Sequence, residues 1–282
     1  MYRRTRSIIY IIVLCITSIT VDAQTIYTPK DAEIFERYIT EFSSKKELPI
    51  EELFVQTGLF FLNTPYVGAT LENQEKEQLV VNLRELDCTT FVETCIALSL
   101  TLKEDSPTFQ RYQDQLRKIR YRNGQIDGYT SRLHYPSDWV HANSDLFNNI
   151  TLSLGGSIVD KPLNFMSSHS QLYPHLKDDK QNQEEIKKIE TEINQRNNYT
   201  LLPVSKIRVA SKQIKTGDII IFGTRTKGLD YSHIGFAYWH NGVLKLLHAS
   251  SARKQVVVDA KSLVQYCETS KTCTGITVLR IK

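Results

Sequence analysis

Apolar residues recur at helical spacing in four segments of the first half of the chain. Two helices are predicted within residues 31–63, where Asn63-Thr64-Pro65 breaks the second. Further helices are predicted over residues 88–102, with Asp87 as a natural N-cap, and over residues 109–120. Because apolar side chains cover most of the 88–102 segment, we expect that helix to be the most buried.

Short apolar runs separated by turns fill the last third of the chain, a pattern typical of β-strands. The predicted strands are Asp218 to Phe222, His233 to Trp239, Val243 to His248, Gln255 to Val258 and Ile276 to Ile281. Helices followed by strands predict an α+β fold class. We expect an antiparallel β-sheet that is backed by the helix beginning at Cys88.

The region between these parts, about 121–211, has no regular pattern and is rich in Asn, Ser, Tyr and charged residues. One charged segment, Asp178 to Arg196, is interpreted as a solvated helix. A stretch of this length is uncommon as a plain loop in a compact domain. We therefore interpret it as an insertion that shapes a site, within a single domain spanning residues 24–282.

The start of the chain has the layout of a cleaved signal peptide. Arginines at positions 3, 4 and 6 precede an apolar run from Ile8 to Ile19, and Val21-Asp22-Ala23 supplies small residues before Gln24. We expect residues 1–23 to be removed and the mature protein to be exported to the periplasm without stable membrane insertion. An uncleaved anchor is the less favoured alternative. Leu14 before Cys15 disfavours a lipid anchor.

Composition and motifs exclude several classes of function. The net charge is +4 with scattered basic residues, so no nucleic-acid binding is predicted. The sequence contains no His-Glu-x-x-His, no Cys-x-x-Cys and no phosphate-binding glycine loop, so no metal or other cofactor is predicted. A disulfide between Cys267 and Cys273 is compatible with an oxidising compartment, but the spacing alone does not establish it.

Cys88 is the first candidate for catalytic chemistry. It follows the N-cap Asp87, so it lies in the first turn of a helix, where free backbone amides favour a thiolate and lower the thiol pKa. A nucleophilic cysteine also needs a base within hydrogen-bond reach. Without such a base, a buried and inert cysteine is the better interpretation.

A predicted hairpin supplies that base. Asn241-Gly242 favours a two-residue type I′ turn. Counting back from this turn gives the cross-strand pairs His240 with Val243, Gly235 with His248, and His233 with Ser250. Side chains alternate along a strand, so His233 and His248 share one face as diagonal neighbours, roughly 7–8 Å apart at the backbone.

The same face carries the small Gly235, which leaves room for another element. We therefore expect the Cys88 helix to pack against the His233 face. The opposite face, with Ile234 and Phe236, is predicted to be ordinary core.

Five short motifs occur in an order that resembles the NlpC-type papain-like peptidase superfamily, whose members cleave amide bonds in bacterial cell-wall peptides. They are Pro65-Tyr66 with Gly68, Leu86-Asp87-Cys88-Thr89-Thr90-Phe91-Val92, Thr216-Gly217-Asp218-Ile219-Ile220, Ser232-His233-Ile234-Gly235 and His248-Ala249-Ser250. The resemblance covers roughly Glu52 to the end of the chain and implies a papain-like fold. It further implies that Cys88 is the nucleophile, His233 the general base, His248 the orienting residue and Asp218 a structural residue.

The chain also departs from the typical endopeptidases of that superfamily. Thr89-Thr90 replaces a serine-glycine pair, and the segment Ser131 to Trp139 and the linker Thr224 to Ser232 are foreign to them. These departures resemble an N-acetylmuramoyl-L-alanine amidase-like subfamily. That resemblance implies cleavage between the lactyl group of muramic acid and L-Ala, on peptidoglycan fragments that include anhydro-muropeptides.

Candidate substrate-binding residues come from the motifs and from the insertion. They are Tyr66, Arg132, His134, Asp138, Trp139, Asp230 and Ser232. Aromatic rings such as Trp139 stack on sugars, but Trp and Tyr side chains also anchor loops to a core. Both interpretations stay open for Trp139 and Tyr135.

Three alternative functions stay open at the level of sequence. An endopeptidase would cut the stem peptide after D-Glu and leave L-Ala on the sugar. A catalytically silent cell-wall-binding module would not need the Cys-His-His set. An acyltransferase or lipid hydrolase is disfavoured by the order of Cys before His and by the absence of a membrane segment after the signal peptide.

Overall fold

A computed structural model describes residues 25–282, so the predicted signal peptide lies outside the described residues. The α-helices within this range are α1 (Pro29–Phe42), α2 (Ile50–Phe60), α3 (Cys88–Lys103), α4 (Phe109–Arg120), α5 (Pro136–Ala142), α6 (Phe165–Ser168), α7 (Pro174–Lys177), α8 (Lys180–Arg196), α9 (Val204–Ala210) and α10 (Leu263–Thr269). The strands are β1 (Phe147–Asn149), β2 (Ser157–Ile158), β3 (Thr200–Pro203), β4 (Ile219–Thr224), β5 (Tyr231–His240), β6 (Val243–Ser250), β7 (Gln255–Ser262) and β8 (Cys273–Ile281).

The four predicted N-terminal helices are confirmed as α1 to α4, within a few residues of their expected bounds. Capping boxes explain where α1 and α3 begin. Thr28 and Asp31 form a capping box at α1, in which the Thr28 N–H donates to Asp31 Oδ2 at 2.8 Å. Helix α3 is the most buried of the four, as its apolar content predicts.

The strands form one antiparallel sheet in the order β2-β3-β8-β4-β5-β6-β7, with β1 paired to β8. The five predicted strands are confirmed as β4 to β8, which makes the fold a mixed α+β architecture. The three remaining strands were not predicted and come from the region 121–211. The region interpreted as an insertion therefore also adds strands to the sheet.

Helices cover both faces of this sheet. Helices α2 and α3 pack on the face that carries Ile234, Phe236 and Leu247, where the rings of Phe91 and Phe236 lie 5.9 Å apart. Helices α9 and α10 pack on the other face, with Ala237. The expectation that the Cys88 helix lies against the His233 face is wrong, because the larger apolar side chains of β5 point the opposite way and bury that helix.

The region 121–211 has a small apolar cluster of its own, centred on Tyr135, Met166 and one face of α8. The segment predicted as a solvated helix is helical from Lys180, but Ile186 and Ile193 are buried in that cluster. The predicted helix is therefore confirmed, but the prediction that it is solvated is wrong for the face that carries Ile186 and Ile193. Among residues 25–282, no helix is both long and apolar enough to cross a membrane.

Candidate active site

Cys88 is the first residue of α3, and the residues around it fix the start of that helix. The Thr90 N–H donates to Asp87 Oδ1 at 2.8 Å, and the Asp87 N–H donates to Thr90 Oγ1 at 2.9 Å. This capping box makes Thr90 a structural part of the helix start. The partly buried thiol of Cys88 therefore projects from a rigid helix end.

The electrostatics at Cys88 differ from the sequence-based expectation. Burial, together with the neighbouring Asp87 carboxylate, raises the pKa of the Cys88 thiol to about 12. Hydrogen bonds from Thr89 and from the backbone N–H of Ile234 oppose this rise but do not cancel it. Cys88 is consequently a neutral thiol in this structure, and such a thiol needs a base before it can act as a nucleophile.

The β5–β6 hairpin has the predicted register, but its ladder is shorter than predicted. Pairing runs from His240↔Val243 to Phe236↔Leu247 and ends there, so the expected pairs involving Gly235 and His233 are not formed. Beyond this point Ile234 is not paired with β6, and its backbone lies close to the Cys88 sulfur. The early end of the ladder thus leaves room for Cys88 next to Ile234, one residue from His233 in the chain.

His233 and His248 meet at this opening, as the shared-face argument predicted. His233 Nε2 lies 2.6 Å from His248 Nδ1, and the two rings cross at 82°. Gly235 makes this approach possible, since a Cβ there would lie 2.9 Å from His248 Cβ. Burial, followed by the neighbouring His248, lowers the pKa of His233 to about 3. His233 is therefore a neutral imidazole near pH 7, the form that can accept a proton.

Two further side chains at this site were not predicted. Asp259 Oδ2 lies 3.5 Å from His248 Nε2, and the Tyr266 ring lies 6.1 Å from the His233 ring and 5.5 Å from the His248 ring. Continuing the strand alternation to β7 would have found Asp259, which is diagonal to His248 on the same face. Tyr266 lies on α10, a helix whose sequence signal is the Ser262 and Gln265 capping box.

Tyr66, a candidate substrate-binding residue, lies close enough to Cys88 for the two side chains to interact electrostatically. Burial raises the pKa of its phenol to about 12, with further contributions from Cys88 and Asp87. Its backbone N–H donates to the Lys254 carbonyl at 2.9 Å, which ties this segment to the β6–β7 turn.

A cavity of about 690 Å³ opens beside the two histidines. Its lining includes His233, His248, Asp259, Tyr266 and the exposed Ser232. Arg253, in the β6–β7 turn, and Lys261 add positive charge to the wall. The cavity is large enough for a small polar ligand with anionic groups.

The charged candidates from the insertion lie in buried ion pairs away from this cavity. Arg132 Nη2 lies 2.6 Å from Glu72 Oε1, and both carboxylate oxygens of Asp138 are bound by arginines. His134 Nε2 is 2.8 Å from the Tyr129 carbonyl oxygen, and burial holds the pKa of this ring well below its usual value. Substrate contact by these residues stays a prediction, while their pairing favours a structural role.

Trp139 and Asp230 are also held by protein contacts. Trp139 stacks on Phe147 with ring centroids 5.8 Å apart and is 3% exposed, which favours the anchoring interpretation. Asp230 is fully buried and accepts hydrogen bonds from the Ser137 N–H at 2.8 Å and hydroxyl at 2.6 Å. The Gly228 carbonyl accepts N–H bonds from residues 164 and 165. These hydrogen bonds attach the insertion to the loop that precedes β5 and His233.

The remaining cysteines do not take part in this arrangement. Cys95 is buried in α3, and Cys267 and Cys273 are free thiols, of which Cys273 donates to the Gly275 carbonyl at 3.4 Å. No group of three or more His, Cys, Asp or Glu side chains within residues 25–282 is placed to hold a metal ion.

Comparisons with known proteins identify an amidase-like family. A family model described as AmiA-like, N-acetylmuramoyl-L-alanine amidase-like, matches residues 56–276. The crystal structure of an N-acetylmuramoyl-L-alanine amidase from Bacteroides uniformis is 39% identical in sequence, with a TM-score of 0.76. That match covers 83% of this chain and 99% of the other.

Two further solved structures are similar. A Bacteroides fragilis protein with a provisional xylanase name is 40% identical over 80% of this chain and 99% of that chain, with a TM-score of 0.73. A Legionella pneumophila protein assigned to the family model DUF1460 is 24% identical over 89% and 94% of the two chains, with a TM-score of 0.66, and it supports the fold alone. No protein of curated function matches the chain.

Proposed function

Because the chain belongs to the AmiA-like family of N-acetylmuramoyl-L-alanine amidase-like proteins, we propose that it is a cysteine amidase of peptidoglycan fragments. It hydrolyses the amide that joins the lactyl group of muramic acid to L-Ala. Cys88 is the nucleophile, His233 the general base and His248 the residue that orients His233. The fold belongs to the papain-like, NlpC-type class, and the protein works in the periplasm after removal of residues 1–23.

One observation carries this proposal. The Cys88 thiol lies close to the backbone of Ile234, the residue next to His233, and Tyr266 is near both Cys88 and His233. His233 itself is 2.6 Å from a second, buried histidine. A nucleophile, a base and an orienting group in one place are the requirements of a catalytic triad. The adjoining cavity gives a substrate access to His233.

The protonation states define the first chemical step. Cys88 is a neutral thiol and His233 a neutral imidazole, so His233 takes the thiol proton as Cys88 attacks the lactyl carbonyl carbon. Backbone amides at the start of α3, including that of Cys88, stabilise the oxyanion. His233 then gives its proton to the amine of L-Ala as the C–N bond breaks. Water hydrolyses the resulting thioester and regenerates the thiol.

A glycosidase function has less support from this site. Glycoside hydrolysis generally uses two carboxylates that flank the scissile bond. Among the described residues that line the cavity, Asp259 is the one carboxylate, and it faces His248.

Product analysis tests the proposal. Purified protein is incubated with an anhydro-muropeptide and, separately, with the free stem peptide, and the products are identified by mass spectrometry. We expect free anhydro-muramic acid and a peptide that begins with L-Ala from the first substrate and no cleavage of the second. Cleavage of the free peptide after D-Glu would replace this proposal with the endopeptidase.

A matched pair of variants shows whether Cys88 carries the reaction. Cys88→Ala removes the proposed nucleophile, while Cys95→Ala removes a buried thiol two turns further along the same helix. We expect no turnover with Cys88→Ala and near-normal turnover with Cys95→Ala. Equal activity of both variants would contradict cysteine catalysis.

A further inference from the structure

Asp259 occupies an unusual place in the sheet. Strand β7 pairs Val258 with Leu247, but Ser262 with Lys245, so β7 contains extra residues between these pairs. Asp259 lies at the start of that bulge. Bulges often redirect a side chain next to an active site. At this bulge the Asp259 carboxylate faces His248.

Hydrogen bonds hold this carboxylate in one orientation. The Lys261 N–H donates to Asp259 Oδ1 at 2.8 Å, and the second oxygen, Oδ2, faces His248 Nε2 at 3.5 Å. Burial raises the pKa of Asp259, but the neighbouring His248 and the Lys261 N–H outweigh this effect, and the net pKa is lowered. Asp259 is therefore ionised at neutral pH and can only accept hydrogen bonds.

His248 is 1% exposed, and its Nε2 has no other hydrogen-bond partner among the described residues. The distance of 3.5 Å is longer than a normal N–H···O bond. Catalytic hydrogen bonds are commonly long in the free enzyme and shorten when substrate binds. An ionised oxygen can only accept a hydrogen bond. A buried ring nitrogen that faces it therefore forms a hydrogen bond only when that nitrogen carries the proton.

We infer that Asp259 is a positioning residue that selects the tautomer of His233 through His248. The inference rests on the proposed function of Cys88 and His233. With two neutral rings, the Asp259 oxygen places the proton of His248 on Nε2, which leaves Nδ1 as an acceptor. His233 Nε2 must then donate to that Nδ1, across 2.6 Å. His233 Nδ1 is left as the unprotonated nitrogen that takes the thiol proton.

Asp259→Asn tests this inference sharply because Lys261 fixes the orientation of the new amide. Its oxygen must face the Lys261 N–H, so its NH₂ group faces His248 Nε2 and donates to it. The proton of His248 then moves to Nδ1, and that of His233 moves from Nε2 to Nδ1. Asp259→Glu keeps an acceptor at His248, and Asp145→Asn makes the same chemical change at an exposed surface position.

The first measurement needs no substrate. Nitrogen-15 spectra of ¹⁵N-histidine-labelled protein at pH 8 report which nitrogen of each ring carries the proton. We expect Nε2–H on both His233 and His248 in the wild type and Nδ1–H on both in Asp259→Asn. A wild-type His233 with its proton on Nδ1, a doubly protonated His248, or unchanged tautomers in Asp259→Asn would overturn the inference.

Two kinetic measurements complete the test. In a comparable triad, a tautomer-inverting Asp→Asn change lowers turnover about ten-thousandfold. Because Asp259 acts through one more ring, we expect a loss of about a hundredfold or more in Asp259→Asn, less than about tenfold in Asp259→Glu, and none in Asp145→Asn. The rate of Cys88 alkylation by iodoacetamide should fall in the same order. The alkylation rates and the tautomers decide the role of Asp259 even if muropeptides prove not to be the substrate. An alkylation rate of Asp259→Asn within threefold of the wild-type rate would contradict the inference.

Discussion

Polar residues are used in two opposite ways in this molecule. At the open end of the β5–β6 hairpin, Cys88 and His233 are neutral, and His233 lines a cavity. In the insertion, Arg132 and Asp138 are charged residues enclosed by counter-charges. Groups of the first kind can exchange protons with a substrate, whereas groups of the second kind hold chain segments together. The difference lies in the partners, since both regions are rich in buried polar side chains.

The largest expected effect comes from removing the base in the first region. His233→Ala should lower kcat/KM at least about ten-thousandfold, or roughly 5.5 kcal/mol of transition-state stabilisation, because the neutral thiol then has no proton acceptor. Its melting temperature should stay near that of the wild type. Muropeptide hydrolysis and thermal unfolding measure the two quantities. Activity within tenfold of the wild type would show that His233 is not the proton acceptor and would contradict the catalytic role of the first region.

The second prediction concerns the insertion. Arg132→Met should lower the free energy of unfolding by about 3–5 kcal/mol, because it leaves the carboxylates of Glu72 and the buried Glu77 without their cation. The kcat of the molecules that remain folded should change little. Urea unfolding and active-site titration with iodoacetamide separate the two effects. A variant of normal stability with a strongly raised KM would instead show that Arg132 binds the substrate.

The third prediction tests the close approach of the two histidines. Gly235→Ala adds a methyl group whose carbon would lie 2.8 Å from the Leu247 carbonyl oxygen and 2.9 Å from His248 Cβ. The shift of His248 should lower kcat about ten- to a hundredfold, since displacements of about 1 Å can have effects of this size. Steady-state kinetics on folded protein measure it. An unchanged kcat would show that the His233–His248 contact has no part in turnover.

The smallest expected change is in the pH profile. His233 must be neutral to accept a proton, and its pKa is lowered to about 3, so activity should persist well below the ordinary histidine pKa of about 6.5. We expect kcat/KM to vary less than about twofold between pH 5 and pH 7. An acidic limb centred near pH 6.5 would show that His233 is not desolvated in the working enzyme.

The same pKa shift has a consequence for stability. Between pH 6.5 and pH 3 the unfolded chain binds a proton at His233 that the folded protein does not. The contribution of this group to the free energy of unfolding is therefore complete above pH 6.5 and is lost as the pH falls toward 3. His233→Ala should flatten the dependence of the unfolding midpoint on pH in this range. An equally steep dependence in the variant would assign it to other groups.

Local signals predicted much of the site. The Asn241-Gly242 turn fixes the hairpin register, and alternation then places His233 and His248 on one face. The N-cap Asp87 likewise fixes Cys88 at the start of α3. Each of these inferences uses residues that are close in sequence.

Features that depend on distant contacts were not predictable in this way. The end of the β5–β6 ladder and the bulge at Asp259 depend on how neighbouring elements pack. The face of the sheet chosen by α3 also could not be read from β5 alone, because both faces are covered by helices. The thiol pKa followed burial and Asp87 rather than the helix end, since desolvation of a buried group outweighs a partial charge.

The most direct test of cysteine amidase catalysis is the identity of the acyl group on Cys88 during turnover. Wild-type protein is mixed with an anhydro-muropeptide, quenched in acid within milliseconds to seconds, and digested for mass spectrometry of the Cys88 peptide. We expect a thioester of the anhydro-muramic acid lactyl group on Cys88, and none in Cys88→Ala. A thioester that contains L-Ala and D-Glu, or product formation by Cys88→Ala, would contradict the proposed reaction.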